Sequence, residues 1–133
     1  MQVPYLDLRV AHREIQMKLD EAYHMVMERQ WFIGGKANER FEDEFAEYCG
    51  AAFCIGTGNG LDAIRLILLA CGIGPGDEVI VPANTFIATA LAVSYVGAVP
   101  VFVDASLDTF TIDPEKIEEK ISNRTKAIIA VHL

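Results

Sequence analysis

Cysteine is scarce in this chain: Cys49, Cys54 and Cys71 are three in 133 residues, and no two are spaced as a CxxC pair. Neither a disulfide framework nor a zinc site is expected from them, and reduced thiols in a cytoplasmic protein are the default reading. Positive charge is also thin, with 11 Lys and Arg against 19 Asp and Glu for a net charge of −8. No basic cluster exceeds two residues, so a phosphate-neutralising face for nucleic acid is absent. An anionic ligand would have to be held locally, by backbone amides at a helix start. Apolar runs are broken by Gly, Pro, Asn or Thr well short of the roughly 20 residues that span a bilayer. The opening MQVPYLDL lacks a basic region followed by an apolar run, so no signal peptide is expected. His12, His24 and His132 form no HxxxH pair, and no metal site is read from them. Lys36, Lys116, Lys120 and Lys126 stand among polar or charged residues, unlike the apolar setting that an amine nucleophile requires.

What is present is a globular composition, 52% hydrophobic with a mean hydropathy of +0.26. That is high for a chain this short, and implies either a sheet covered on both faces or a surface meant to meet a partner. The acidic residues gather in 39–47 and 113–119, as solvated helix faces do. Over 10–29, Val10, Ile15, Leu19, Ala22 and Val26 recur near helical spacing, with Asp7 as a candidate N-cap. The double glycine of Gln30-Trp31-Phe32-Ile33-Gly34-Gly35 ends this helix and leaves two aromatics in a connection. A second helix is expected at 38–49, capped by Asn38, with Phe41, Phe45 and Tyr48 on one face and Gly50 at its end.

From residue 50 onward the pattern alternates. A strand is expected at 52–56, and a helix at 60–71 carrying Leu61, Ile64, Leu68 and Cys71 on one side. The turn Gly74-Pro75-Gly76-Asp77 leads to a strand at 78–81 stopped by Pro82. A helix capped by Asn84 or Thr85 then runs to Gly97, followed by a strand at 99–103 in which Pro100 suits an edge or a strand start. Asp113-Pro114 opens a further helix, with a last strand at 125–133 that brings His132 to its end. Strands alternating with helices, and reading as continuous apolar runs, predict right-handed crossovers and a mainly parallel sheet with helices on both faces. The domain organisation expected is a helical arm at 1–50 and a partial α/β domain at 51–133, cut short within its last strand.

Two constellations carry chemistry. In Gly56-Thr57-Gly58-Asn59-Gly60-Leu61-Asp62-Ala63, a glycine-rich turn feeds a helix start with unpaired N–H groups and a positive dipole end. A phosphate cradle and an empty turn both fit it. A dinucleotide fold fits poorly: the spacing is GxGxG, and the strand ending Val81-Pro82-Ala83-Asn84 offers no carboxylate. A phosphate-loop NTPase fits less well still, because no Gly-Lys-Ser/Thr follows. The second constellation, Pro82-Ala83-Asn84-Thr85-Phe86-Ile87-Ala88-Thr89, lies at the C-terminal end of a strand, where open α/β sheets bind ligands. Phe86 there could stack on a planar ring, although periodicity alone favours a core phenylalanine.

In this order and spacing, the two constellations resemble those of the DegT/DnrJ/EryC1/StrS sugar aminotransferases, and the resemblance extends along the chain. It includes Pro4-Tyr5-Leu6-Asp7-Leu8, the Trp31-Phe32 connection, the run from Gly72 through Pro82, Gly97-Ala98 with Pro100 to Asp104, and the closing stretch from Thr125 to Leu133. The resemblance implies the aspartate aminotransferase (type I) fold and pyridoxal 5′-phosphate (PLP) as cofactor. It implies transfer of an amino group from glutamate to a keto sugar linked to a nucleotide, with dTDP-3-keto-6-deoxyhexoses the nearest branch. By matching positions, the amides of Gly60 and Leu61 would hold the PLP phosphate, Phe86 would stack on the pyridine ring, and Trp31 and Phe32 would lie by the sugar nucleotide. Leu61 stands where many relatives have Thr, which removes a hydroxyl contact and leaves the amide. A homodimer, or self-association through an uncovered sheet edge, is implied as well. The family's Schiff-base lysine, the aspartate that pairs with the pyridine nitrogen, and the C-terminal domain come after the point matching Leu133. The 133 residues alone are therefore expected to carry no catalytic residue and to be inactive. Alternatives are a non-catalytic binding module or remnant, or a sugar dehydratase or regulatory relative on the same fold. The dehydratases carry His in place of the lysine.

Overall fold

The computed structural model describes residues 3–133; Met1 and Gln2, which begin the stretch read for a signal peptide, lie outside the described residues. The chain divides into two compact units, Met1–Gly56 and Thr57–Leu133. In the first, α1 spans Arg9–Arg29 and α2 spans Lys36–Cys49. Asp7 does not occupy the N-cap position of α1, which is Leu8, yet its carboxylate accepts from the Arg9 N–H at 3.0 Å and so satisfies a donor of the first turn. The same carboxylate pairs with the Arg9 guanidinium at 2.6 Å. Asn38 is not the cap of α2. The helix starts two residues earlier, behind an extended Gly35 that contributes no side-chain bond. Asn38 instead lies beside Gly56, where an added Cβ would come 3.0 Å from its Oδ1. Gly50 ends α2 in the left-handed conformation, φ +65°, as glycine does at a helix terminus. Phe41 and Phe45 stack at 5.4 Å, and Tyr48 continues the row at 6.2 Å.

The strand expected at 52–56 does not form. The segment has no ladder partner among the described strands, and Phe53 and Ile55 are exposed. A strand exists only with a neighbour to bond, and the apolar pattern cannot supply one. Gly56 is fixed in another way, by donating its N–H to Glu42 Oε1 at 2.6 Å.

The second unit holds α3 (Gly60–Ala70), β1 (Glu78–Pro82), α4 (Ala88–Tyr95), β2 (Val99–Val103) and β3 (Thr125–Ile128). The three strands form a parallel sheet in the order β2-β1-β3. β1 is central and buried along its whole length, as its unbroken apolar run requires. Val79 and Val81 face a core made with Leu68, Ile73, Ala92, Val93 and Val96, while Ile80, on the opposite face, is also fully buried. Leu61, Ile64 and Leu68 of α3 turn to this core; Cys71, expected with them, is exposed. Pro100 falls on β2, an edge strand. At the start of the central strand, Glu78 is buried; it accepts from Ser122 Oγ at 2.6 Å and pairs with Arg124.

The helix expected after Asp113-Pro114 is reduced to two 3-10 turns, Pro114–Lys116 and Glu118–Lys120. The start signal works, since Asp113 Oδ1 accepts from the Glu115 N–H at 3.1 Å. The segment lacks an apolar stripe long enough to hold a full helix, because Ile117 is only half-buried and Ile121 is exposed. The last strand ends at Ile128, so His132 lies beyond it. Among the described residues, no helix is long and apolar enough to cross a membrane, and no group of His, Cys, Asp and Glu could hold a metal ion.

Candidate functional site

The glycine-rich turn and the start of α3 form one hydrogen-bonded unit. Asn59 is extended and caps the helix, its Oδ1 accepting from the Asp62 N–H at 2.9 Å while its Nδ2 donates to Asp62 Oδ2 at 3.0 Å. The Ala63 N–H is taken by the Asn59 carbonyl at 3.1 Å, and Thr57 Oγ1 donates to the same carbonyl at 3.1 Å. Two donors remain. Among the described residues, neither the Gly60 nor the Leu61 N–H has a partner. Both project from the positive end of α3, where a helix takes an anion. An added Cβ on Gly60 would meet nothing within 4 Å, so this approach is open.

The second constellation reaches the same end of the sheet. Gly97, just past α4, has φ +80°, and a Cβ there would come 3.0 Å from Pro75, in the turn just past α3. The C-terminal ends of the two packed helices therefore lie together, and so do their N-terminal ends. α4 starts from the C-terminal end of β1, which puts the free amides of Gly60 and Leu61 on the side of the sheet where 83–87 emerges. Phe86 is 80% exposed, which removes the core-phenylalanine reading and leaves its ring available.

Neither Asn84 nor Thr85 caps α4, whose N-cap is Ile87. Thr85 Oγ1 pairs instead with Thr89 Oγ1 at 3.0 Å, and Asn84 Nδ2 donates to the Phe110 carbonyl at 3.1 Å.

Trp31 and Phe32 belong to the other unit. Trp31 Nε1 donates to the Ile33 carbonyl at 2.8 Å, and the ring packs so near Gly35 that a Cβ there would come 3.1 Å from Trp31 Cγ. Trp31 lines a hollow of about 420 Å³ with Met25, Val26, Arg29, Lys36 and Ala37, whereas Phe32 is exposed outside it. Lys116, read as a poor amine nucleophile, lies 3.6 Å from Asp113 and 3.9 Å from Asp104.

Residues 13–133 match the DegT/DnrJ/EryC1/StrS aminotransferase family. The chain belongs to that family. It is 53% identical over 131 residues to dTDP-3-amino-3,6-dideoxy-alpha-D-galactopyranose transaminase of Aneurinibacillus thermoaerophilus, covering 98% of this chain and 36% of that relative. The chain thus spans about a third of the length of the curated relatives it matches. Among solved structures, S. venezuelae DesV in complex with a ketimine intermediate superposes with a TM-score of 0.93 at 45% identity, over 99% of this chain and 36% of that one. NtdA from Bacillus subtilis with bound cofactor PMP superposes with a TM-score of 0.85 at 42% identity, over 99% of this chain and 31% of that one. The α/β fold with a parallel sheet is therefore that of this aminotransferase family.

Sequence reasoning did not assign Asn59 the capping role, though the signal was present. Asn followed three residues later by Asp at a helix start is close to a capping box. The Asn84–Phe110 link joins positions 26 residues apart, and nothing local announces it.

Proposed function

We propose that this chain forms the cofactor-phosphate and ring-stacking part of a PLP-dependent aminotransferase, which moves an amino group from glutamate to a keto sugar linked to a nucleotide. The dTDP-3-keto-6-deoxyhexoses are the proposed sugar class. The observation that carries this reading is the pair of unpartnered N–H groups at Gly60 and Leu61, on the end of the sheet where Phe86 is presented, in a chain of this family. A phosphate fits these donors: the approach over Gly60 is open, and the first turn of a helix favours negative charge. Asp62, a carboxylate in the first turn of α3, already accepts from the Asn59 side chain.

When bound, PLP supplies the electron sink and the carrier for the amino group. The chain's own part is to fix position. The amides of Gly60 and Leu61 would hold the phosphate, and Phe86 would stack on the ring. Trp31 and Phe32, exposed aromatics of the first unit, are assigned to the sugar nucleotide. The organisation proposed is a helical arm at 1–50 and a PLP-binding part at 51–133, in a cytoplasmic enzyme that works as a homodimer. The reaction is assigned to a protein of the relatives' full length, and the 133 residues alone are assigned binding without turnover.

The test is a half-reaction. The full-length protein, mixed with PLP and then glutamate, is expected to convert the bound PLP spectrum to that of pyridoxamine phosphate. A protein that neither binds PLP nor changes its spectrum with glutamate would sink this reading.

A further inference from the structure

The loop that presents Phe86 is held from a distance. Asn84 Nδ2 donates to the Phe110 carbonyl at 3.1 Å. That carbonyl is itself carefully placed: Phe110 has φ +58°, a left-handed conformation unusual for a bulky side chain. A short antiparallel turn fixes it there. Ala105 bridges to Ile112, the Phe110 N–H donates to the Ser106 carbonyl at 2.9 Å, and the Ser106 N–H donates to the Thr111 carbonyl at 2.9 Å. At the next residue of the loop, Thr85 Oγ1 pairs with Thr89 Oγ1 at 3.0 Å, and Thr89 is buried. Phe86 stands next to these anchors with its ring exposed, so its backbone, and not side-chain packing, sets where the ring goes.

We infer that Asn84 is a positioning residue for Phe86: its amide ties the loop after β1 to the Phe110 carbonyl, and so fixes the stacking ring against a planar cofactor. This inference rests on the proposed PLP site. The tie is made to a main-chain atom, so the Phe110 side chain is not required by it. Asn84→Asp keeps the shape and removes the donor, setting a carboxylate against the carbonyl.

The experiment uses the full-length protein with PLP and, separately, pyridoxamine phosphate as probes. It reads the dissociation constant by fluorescence and the visible circular dichroism of bound PLP, which reports the asymmetry around the ring. Thermal melting runs alongside. The loss of one hydrogen bond predicts that N84D binds about fivefold more weakly. The dichroism band should be reduced or altered at saturating PLP. A merely structural role would lower the melting temperature and leave the saturated dichroism unchanged, and that result would overturn the inference. Should N84D fail to fold, N84A, which removes the donor without adding charge, is read by the same criteria. Failure of the unmodified protein to bind either probe would overturn the PLP reading and this inference together. Normal binding by the unmodified protein with an unchanged N84D would overturn this inference alone.

Discussion

The two units of the molecule use similar amounts of apolar sequence to different ends. In Thr57–Leu133, β1 is buried throughout, and Val79, Val81, Ala92 and Val93 close a core around it. In Met1–Gly56, α1 buries no residue, and Val10, Ile15 and Leu19, which give it a helical period, are exposed. The contrast shows what periodicity encodes. It specifies which face of an element is apolar, whereas the partner for that face has to come from elsewhere in the fold or the assembly. The proposed anion site belongs to the unit with this core.

Core truncation should break this contrast most strongly. Ile80→Ala is expected to cost about 2–5 kcal/mol, whereas Ile15→Ala, on α1, is expected to stay within about 0.5 kcal/mol. Urea denaturation of both variants checks the difference, and equal losses would show that α1 packs as tightly as β1. Next in size is Gly97→Ala. It forces a Cβ into a left-handed position and toward Pro75, at about 1–2 kcal/mol from the backbone alone, read as a lowered melting temperature. Asn59→Ala sharpens the comparison at the site itself. Losing the cap should cost about 1 kcal/mol and weaken phosphate binding, which isothermal titration with PLP would detect.

The smallest effect concerns Asp7. The hydrogen bonds from Arg9, first side chain and then backbone, hold its carboxyl below the ordinary aspartate range. The folded value is the depressed one. Its contribution is therefore present above the ordinary range and fades as the pH falls through the folded value. Access to solvent makes it small and salt-sensitive. NMR titration of the Asp7 carboxyl should show the lowered midpoint, and Asp7→Asn should differ in stability from the parent at neutral pH but not in strong acid.

Much of the second unit was legible in sequence because its signals are local. The apolar run at 78–82, the glycine turn before it, and the Asp113-Pro114 start signal each act over a few residues. The candidate site was half legible: the glycine-rich turn and Phe86 stand out, and the structure puts both at the same end of the sheet. What could not be read depends on groups distant in sequence. Asn84 looks like a helix cap, and is one of the residue types that caps well, but its amide is drawn to a carbonyl 26 residues away. Asn38 likewise resembles a cap and sits inside α2 beside Gly56. The segment 52–56 has the composition of a strand and lacks the neighbour that would make it one.

Pro100 has a consequence for how the sheet can grow. The Val99 N–H donates inward to the Asp77 carbonyl at 2.9 Å, so by alternation the nitrogen of Pro100 faces outward, along the free side of β2. A proline nitrogen carries no hydrogen, and an incoming strand would find a missing rung there. β3 has no proline between Thr125 and Ile128. Extension of the sheet is thus weakened on the flank of β2, and pairing by a further strand is favoured on the side of β3.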